Sequence, residues 1–491
     1  MPGVGVGIAS LSALGGAGRW QGYAAGGLVP DLVADFVAQN YRAGGFRTGF
    51  DGLLTHARAS AATYVDGGGT LRTAAADAPR LAHHVWDGAA WVNAGLLIET
   101  ESRTNLLLGS DAPVTQEVAV TVQPYTLSFS GAGSIGLSGA STAGPLVGAG
   151  TGEAHRVRLT FTPAAGPLTL TVTGEVQMAQ LEAGATPSSY IPTAAAPVTR
   201  AADSLTIPAA RLPWPVPNAV GPELLSGAWA TAVSYDNATS GTGTSVSVTG
   251  GTTLSRSYRS ISGLTAGEVF TVRVACDSVS SGVVHAYVKD GTNPNAGTLL
   301  GSYATGLTAG HSTEFQIVAA TADVVVMLQS TVAGADFTAA LSVREIDPLA
   351  VSVALQGHLT YADTDRDAEA VLLRWEADAD NRIQEQLVTA AEATGNFRTL
   401  QVKSGTLDTL LSGAAFVPGI DVPFSIAARH GATFLNAAVG GSALTADTSP
   451  TALPDLSASD LQLAHGFMGT VRLFRMWGDD IGDAGIAATS A

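Results

Sequence analysis

Apolar and polar residues alternate in short runs through most of this chain, and each run is bounded by Gly, Pro, Asn, Asp or Ser. A period of two sends successive side chains to opposite faces, so each run reads as a half-buried β-strand. "PYTLSFSG" alternates around Tyr125, Leu127 and Phe129, and "HRVRLTFTP" around Val157, Leu159 and Phe161. "PLTLTVTGEVQMAQLE" carries Leu168, Leu170 and Val172, then, after a turn at Gly174, Val176 and Met178. A second region follows the same order in "EVFTVRVACD", "STEFQIVAATADVVVMLQS" and "FTAALSVREID". Both regions end on a strand with a carboxylate, Glu182 or Glu345, which suggests an internal repeat of two related sandwiches.

The last third is patterned most strongly. Val351, Val353 and Leu355 share a face, as do Val371, Leu373 and Trp375 before a turn at Asp378–Asn381. "VPFSIAARHGATFLNAAVGG" reads as two strands around His430 and Gly431, and "GFMGTVRLFRMWGDD" closes the region with Phe467, Val471, Leu473 and Met476 or Trp477. This spacing predicts a two-sheet jelly roll. Helical periodicity is scarce: in "LVPDLVADFVAQNYRAG" (28–44), Leu28, Leu32, Val33 and Phe36 fit a short helix or a strand equally well. The fold class is therefore all-β, a multidomain chain of β-sandwich and jelly-roll modules with a short mixed N-terminal segment.

Five prolines in the sixteen residues "IPAARLPWPVPNAVGP" (207–222) enforce extended backbone and read as a stiff spacer, from which the second sandwich projects as an insertion. The expected organisation is a flexible Gly/Ala-rich tail (1–25), an N-terminal module (26–108), a first sandwich (109–206), a Pro-rich linker (207–221), a second sandwich (222–347) and a terminal jelly roll (348–491).

Composition narrows the function classes. Charged residues are only 13 % of the 491, and the net charge is −17, which excludes the basic stripe that phosphate backbones require. Lys289 and Lys403 are the only lysines. Between 349 and 491, 17 Asp and Glu face 8 Arg and Lys, so over half of the net charge lies there. Cys276 is the only cysteine, leaving no intrachain disulfide and no cysteine-based zinc site. Residues 1–18 lack the basic start and continuous apolar block of a signal peptide, and no run reaches membrane-spanning length. A soluble protein made in a cytoplasm is expected.

Three stretches carry a resemblance. "RASAATYVDGGGTLRTAAADAPR" (58–80), "GLLIETESRTNLLL" (95–108) and "QMAQLEAGATPSSYIPTAAAPVTRAAD" (177–203) resemble the N-terminal part of tail-fibre and spike proteins of tailed phages and prophages. The matching positions are Arg58 to Ser60, Ala62 to Tyr64, Ala78 to Arg80, Leu96 to Glu99 and Arg103 to Leu106. "FSIAARHGATFLNAAVGGSAL" and "GFMGTVRLFRMWGDDIGDAGI" are similar to concanavalin A-like or laminin-G-like jelly rolls, and residues 222–347 to a carbohydrate-binding-module sandwich. The resemblance implies a virion structural protein, a tail fibre, receptor-binding protein or head spike. It would attach to other virion proteins through its N-terminal part, assemble as a homo-oligomer, most simply a trimer, and adsorb to host surface polysaccharide. A ligand-free decoration protein and a polysaccharide-degrading tailspike are the rival readings. As assembly residues we take Arg58, Tyr64, Arg80, Glu99 and Arg103, with the guanidinium groups forking onto Glu99, Glu101 or backbone carbonyls across a neighbour.

Enzyme signatures are absent: the sequence has no GxSxG elbow, HExxH pair or Walker loop. No catalytic residue is expected. His83 and His84 are adjacent, so on a strand they face opposite ways and do not form a metal pair. Asp363, Asp365 and Asp367 in "DTDRDAE" would share a strand face, where Ca2+ would relieve their repulsion; a solvated acidic turn is the plainer reading, and no cofactor is expected. Sugar sites use aromatics with Asn, Asp and Arg beside them. The ligand-binding candidates are Tyr361, Arg382, Arg429 and His430 in the jelly roll and Trp229 and Tyr235 in the second sandwich, whereas Trp375 and Trp477 lie in core registers.

Overall fold

Alternation becomes pairing throughout the chain, and nearly every strand is antiparallel to its neighbours in a computed structural model that describes residues 20–214, 223–345, 350–362, 369–389, 395–451 and 453–491. The all-β expectation holds: among the described residues the α-helices are a single turn, Phe50–Leu53, and the C-terminal Gly482–Ser490. Residues 28–44 resolve as strands Leu32–Asp35 and Asn40–Ala43, joined by a turn in which Asp35 accepts the backbone N–H groups of Val37 and Ala38.

Contacts divide the chain into a unit of residues 1–215 with 350–491 and a unit of residues 216–349 inserted between them in sequence. The first unit corrects the expected boundary between residues 26–108 and 348–491, because these segments share sheets. Strand Met468–Trp477 pairs along one edge with Ala350–Tyr361 and along the other with Leu32–Asp35 (Leu32 opposite Met476) and Trp91–Glu99 (Leu96 opposite Val471). In the facing seven-stranded sheet, Leu461–His465 is followed by Ser204–Ile207 and then Thr55–Ala57. A central strand needs hydrogen-bond partners on both edges. Here the partners on one edge of each strand come from the opposite end of the chain, and strand periodicity does not encode which end that is. The jelly roll is therefore built from both ends, with Trp375, Trp477, Phe397, Phe467 and Phe474 in its interior. Trp375 donates its indole N–H to Ser459 O at 2.8 Å, which satisfies the one polar atom that its burial would strand. The C-terminal helix closes one apolar face, with Ile486 buried among Ala427, Ala438 and Trp477.

The first sandwich, within the same unit, packs the sheet Gln116–Val120, Gly166–Thr173, Ser134–Gly139, Leu146–Val147 over Val157–Phe161, Tyr125–Ser130, Gln177–Ala183, in spatial order. Within the inserted unit, Leu254–Ser262, Asp323–Ala333, Val284–Asp290 and Leu299–Leu307 run in the same order in one sheet, and His311–Val318, Val269–Val279 and Phe337–Glu345 in the other. These strands follow one another along the chain in matching order, so the repeat read from the sequence is a repeat of topology. The inserted unit adds short strands Ala230–Thr231, Ala238–Ser240 and Ser245–Thr249 at its sheet edges. Residues 1–19 of the expected tail and 215–221 of the expected linker lie outside the described residues.

Candidate functional site

Three of the expected assembly residues, Arg58, Arg80 and Glu99, meet in one buried hub inside a single chain. Arg80 and Glu99 stand on adjacent strands of the hairpin Arg80–Trp86 and Trp91–Glu99, and Arg80 Nη1 lies 2.5 Å from Glu99 Oε2 while its Nη2 donates to Asp203. Arg58 donates to Asp203 at 3.0 Å and to the carbonyls of Ser60, Ala75 and Ala78. Arg200 lies 3.2 Å from Glu99, and Ser189 donates to Glu99 from both its N–H and its hydroxyl. Burial raises the Glu99 carboxyl, but Arg200 and Arg80 outweigh it and hold that group at about 2; Asp203 is also held far below the usual carboxylate range. Arg103 pairs with Glu101 at 2.6 Å and reaches the carbonyl of Ala183. The forked chemistry expected of these arginines is present, and it joins segments of one chain. Arg58, Arg80 and Glu99 are 1 %, 0 % and 3 % exposed, which corrects their assignment to a neighbour's surface. Asn105 belongs to the same frame: its amide donates to Ala179 O and Ile191 O, and its oxygen accepts from Leu107 and Leu181.

Above this frame opens a cleft of about 660 Å³. One wall is the tip of the hairpin that carries Arg80 and Glu99. There Trp86 and Trp91 occupy directly paired positions, with ring centroids 5.5 Å apart and tilted by 58°. The intervening turn is fixed by Asp87, whose Oδ1 accepts the N–H groups of Ala89 and Ala90. The glycine run after Tyr64 and Asp66 has its explanation here. Gly69 has φ +75°, and a Cβ on it would lie 2.3 Å from Trp91 Nε1, so only glycine lets the loop lie against the indole. Tyr64 lines this same cleft.

The first sandwich supplies Glu153, Arg156 and Arg158, and the jelly roll supplies His358, Thr360, Asp421 and Arg472. Arg156 is committed: it donates to Ser188 O and Ser128 Oγ, and Glu153 lies 3.9 Å away. Asp421 sits at φ +53°, a conformation that aspartate tolerates, and its N–H donates to Thr360 Oγ1 at 3.1 Å. Burial pushes its carboxyl up, with Arg158 partly offsetting that. Burial, with Arg80 beside it, pushes the His83 imidazole down to about 3; its Nδ1 accepts the N–H of Val65. Burial and Arg472 likewise lower His358. Tilted indoles beside donors and acceptors suit a pyranose ring, whose faces are apolar and whose rim is hydroxyl-bearing.

The residues nominated from the sequence as ligand contacts lie elsewhere. His430 is fully buried and bonds Glu385 at 2.8 Å between the two sheets, and Tyr361 is buried at 7 % exposure. Arg429 is committed to Asp480 and Asp483 and stacks over Phe434 at 4.3 Å. Tyr361 and Arg429 do not share a groove: Arg429 pairs with Ser352, at the other end of Ala350–Tyr361 from Tyr361, on the order of 30 Å away at about 3.3 Å per residue. Arg382 donates to Ala379 O. In the inserted unit, Trp229 is core with its indole on Gly243 O, and the Tyr235 ring is covered by Arg256 at 4.6 Å. These are corrections with one cause, since polar turns and strand ends close on themselves when the neighbouring strand supplies a partner. Asp363, Asp365 and Asp367 lie outside the described residues, and among the described residues no cluster of His, Cys, Asp and Glu could hold a metal ion. Among them, too, no helix is long and apolar enough to cross a membrane. Trp86 and Trp91 were missed, although "WDGAAW", two tryptophans flanking an Asp-Gly turn, is a hairpin-tip signal.

No protein-family model and no curated protein matches the chain. Among solved structures, the CBM40 domain of Ruminococcus gnavus IT-sialidase bound to α2,3-sialyllactose aligns with 30 % of this chain and 84 % of that one, at 15 % identity and a TM-score of 0.24. The botulinum neurotoxin serotype D binding domain aligns over 29 % of this chain and 36 % of that one, at 9 % identity and a TM-score of 0.24. The leech intramolecular trans-sialidase aligns over 29 % and 23 %, at 13 % identity and a TM-score of 0.24. The likenesses are local, and the chain spans about a third or less of the length of the last two.

Proposed function

We propose that this chain is a carbohydrate-binding virion protein of a bacteriophage and that the cleft beside Trp86 and Trp91 receives the host-surface glycan. The observation that carries the binding reading is the paired indole wall of a cleft whose other walls present Arg, Asp, His and Thr side chains. The virion setting is supported by the resemblance of residues 58–108 and 177–203 to phage fibre and spike proteins. In this reading the N-terminal residues attach the chain to other virion proteins, the assembled form is a homo-oligomer, most simply a trimer, and the chain binds the glycan without cleaving it. Linked copies would raise the effective concentration for each further contact, so weak single sites suffice for adsorption.

The test is binding of the labelled, assembled protein to host cells and to the same cells stripped of surface polysaccharide, with Trp86→Ala and Trp91→Ala alongside. Saturable binding that disappears on stripping, and in both variants, is the expected result. No binding by the folded oligomer favours a ligand-free decoration protein, and shortening of the polysaccharide by the bound protein favours a degrading tailspike.

A further inference from the structure

Charge in the cleft is distributed unevenly, and the unevenness bears on the chemistry of the sugar. Of the carboxylates that line it, Glu99 is consumed by Arg80, Arg200 and Ser189, and Glu153 is opposite Arg156. Asp87 spends its Oδ1 on its own turn at the exposed rim. Asp421 faces Arg158, and burial raises its carboxyl against that pairing, so it offsets at most one of Arg158 and Arg472. Of the arginines, Arg156 is tied to the backbone of Ser188 and the hydroxyl of Ser128. Arg158 and Arg472 make no side-chain hydrogen bond or ion pair among the described residues, although both line the cleft.

The two free guanidinium groups belong to one row. Arg158 lies within electrostatic reach of Asp421; Asp421 is hydrogen-bonded to Thr360; Thr360 and His358 are alternate residues on one strand; and His358 lies within reach of Arg472. Arg156 and Glu153 also face Arg158 and offset each other, and His83 and His84 face the cleft from the hairpin wall. Burial disfavours the charged form of His83, and His84 donates Nδ1–H to Ala82 O. The row therefore has a surplus of fixed positive charge in a chain of net charge −17. Planar guanidinium forks match the geometry of a carboxylate, and a partly desolvated cleft strengthens that pairing.

We infer that the sugar bound in this cleft is acidic, a carboxylate-bearing pyranose whose charged group lies between Arg158 and Arg472 while its ring rests on Trp86 and Trp91. This rests on the glycan-binding reading above and adds the class of sugar to it.

The test uses the full chain and four kinds of probe: uronic-acid oligosaccharides of several stereochemistries, the same oligosaccharides as methyl esters, sulfated dextran and plain dextran. The expected result is binding of at least one uronate probe, weakened at least ten-fold by esterification, by Arg158→Gln and by Arg472→Gln, with thermal unfolding unchanged in both variants. Arg211→Gln, which removes a partly exposed arginine outside the cleft that donates to Asp51 O, should leave that affinity alone. Binding to neutral probes or esters that is lost in Trp86→Ala but indifferent to Arg158→Gln and Arg472→Gln overturns the acidic-sugar assignment and leaves the glycan site standing. A preference for sulfated dextran over every uronate overturns the carboxylate. Binding of no probe overturns both readings.

Discussion

Trp86 and Trp91 face each other across the tip of one hairpin, 5.5 Å apart, on residues directly opposite in register. Cross-strand aromatic pairs ordinarily stabilise a hairpin by about 0.2–1 kcal/mol. Here the pair also forms the wall of a cleft, with Trp86 37 % exposed. Its surface is therefore available to a ligand at little cost to the fold.

Trp86→Ala should accordingly separate binding from stability. We expect glycan affinity to fall at least ten-fold while unfolding free energy changes by no more than about 1 kcal/mol. Trp375→Ala is the opposite case: that side chain is fully buried and lies against Trp214 at 5.3 Å, so its removal should cost about 3–5 kcal/mol. Denaturant titration and glycan titration of both variants check this; equal stability losses would contradict it.

Glu99→Gln keeps the shape of the hub and removes the charge that Arg80 and Arg200 share. Breaking one partner of a buried ion network leaves the others uncompensated, and we expect a loss of about 3–5 kcal/mol in the unfolding free energy of the first unit. Glu101→Gln, whose carboxylate is half-exposed beside Arg103, should change it by less than about 1 kcal/mol. A smaller effect at Glu99 than at Glu101 would show that the hub is not what fixes the frame.

The hub and His83 also set a pH dependence of one sign. His83 titrates at about 3 in the fold and at about 6.5 in an unfolded chain, so below 6.5 the unfolded state takes up a proton that the folded state refuses. Glu99 adds the same slope from about 4.3, its unfolded value, down to about 2. Stability should be full above pH 6.5 and decline in two stages on acidification. His83→Asn, which keeps an acceptor for Val65 N–H, should flatten the first stage; an unchanged slope between pH 6.5 and 4.5 would remove His83 from the account.

How much of this was legible varies by residue. Strand-period runs gave Leu127, Phe129, Leu168, Trp375 and Trp477 their core positions, because alternation is a local property that burial on one face enforces. The repeat of two sandwiches was visible for the same reason. Partner choice was not, since Val471 meets Leu96 and Leu463 meets Leu205 only because the chain's ends share sheets. The site was half visible. Of the residues in the resemblance, Arg58, Arg80 and Glu99 build the floor within one chain, whereas Trp86 and Trp91, outside the set, line the opening. Polar residues at turns, such as Arg429 and Tyr235, look available in a sequence and are taken up by neighbours that only the fold brings near.

Glu385 and His430 bridge the two jelly-roll sheets from fully buried positions, and burial pushes the Glu385 carboxyl up. His430→Phe should cost about 3–5 kcal/mol, because it strands that carboxyl in the core. The double variant Glu385→Met with His430→Phe should recover at least half of the loss, since well-packed apolar replacements of a buried pair are often neutral. A double variant as unstable as the single one would mean that packing around His430, not the unpaired carboxyl, carries the cost.

Cys276 offers a separate reading of the inserted unit. Its thiol is 1 % exposed within that unit's core, and burial pushes it up, so a thiol reagent should reach it only when the sandwich opens. Trp229 closes the same core with its indole N–H on Gly243 O at 2.9 Å. Trp229→Ala should cost about 3–5 kcal/mol there and speed labelling of the folded protein by roughly a hundred-fold or more, while Glu99→Gln should leave the labelling rate unchanged. If instead labelling quickened as much in Glu99→Gln as in Trp229→Ala, the two units would be opening together, and residues 216–349 would not be an independently stable insertion.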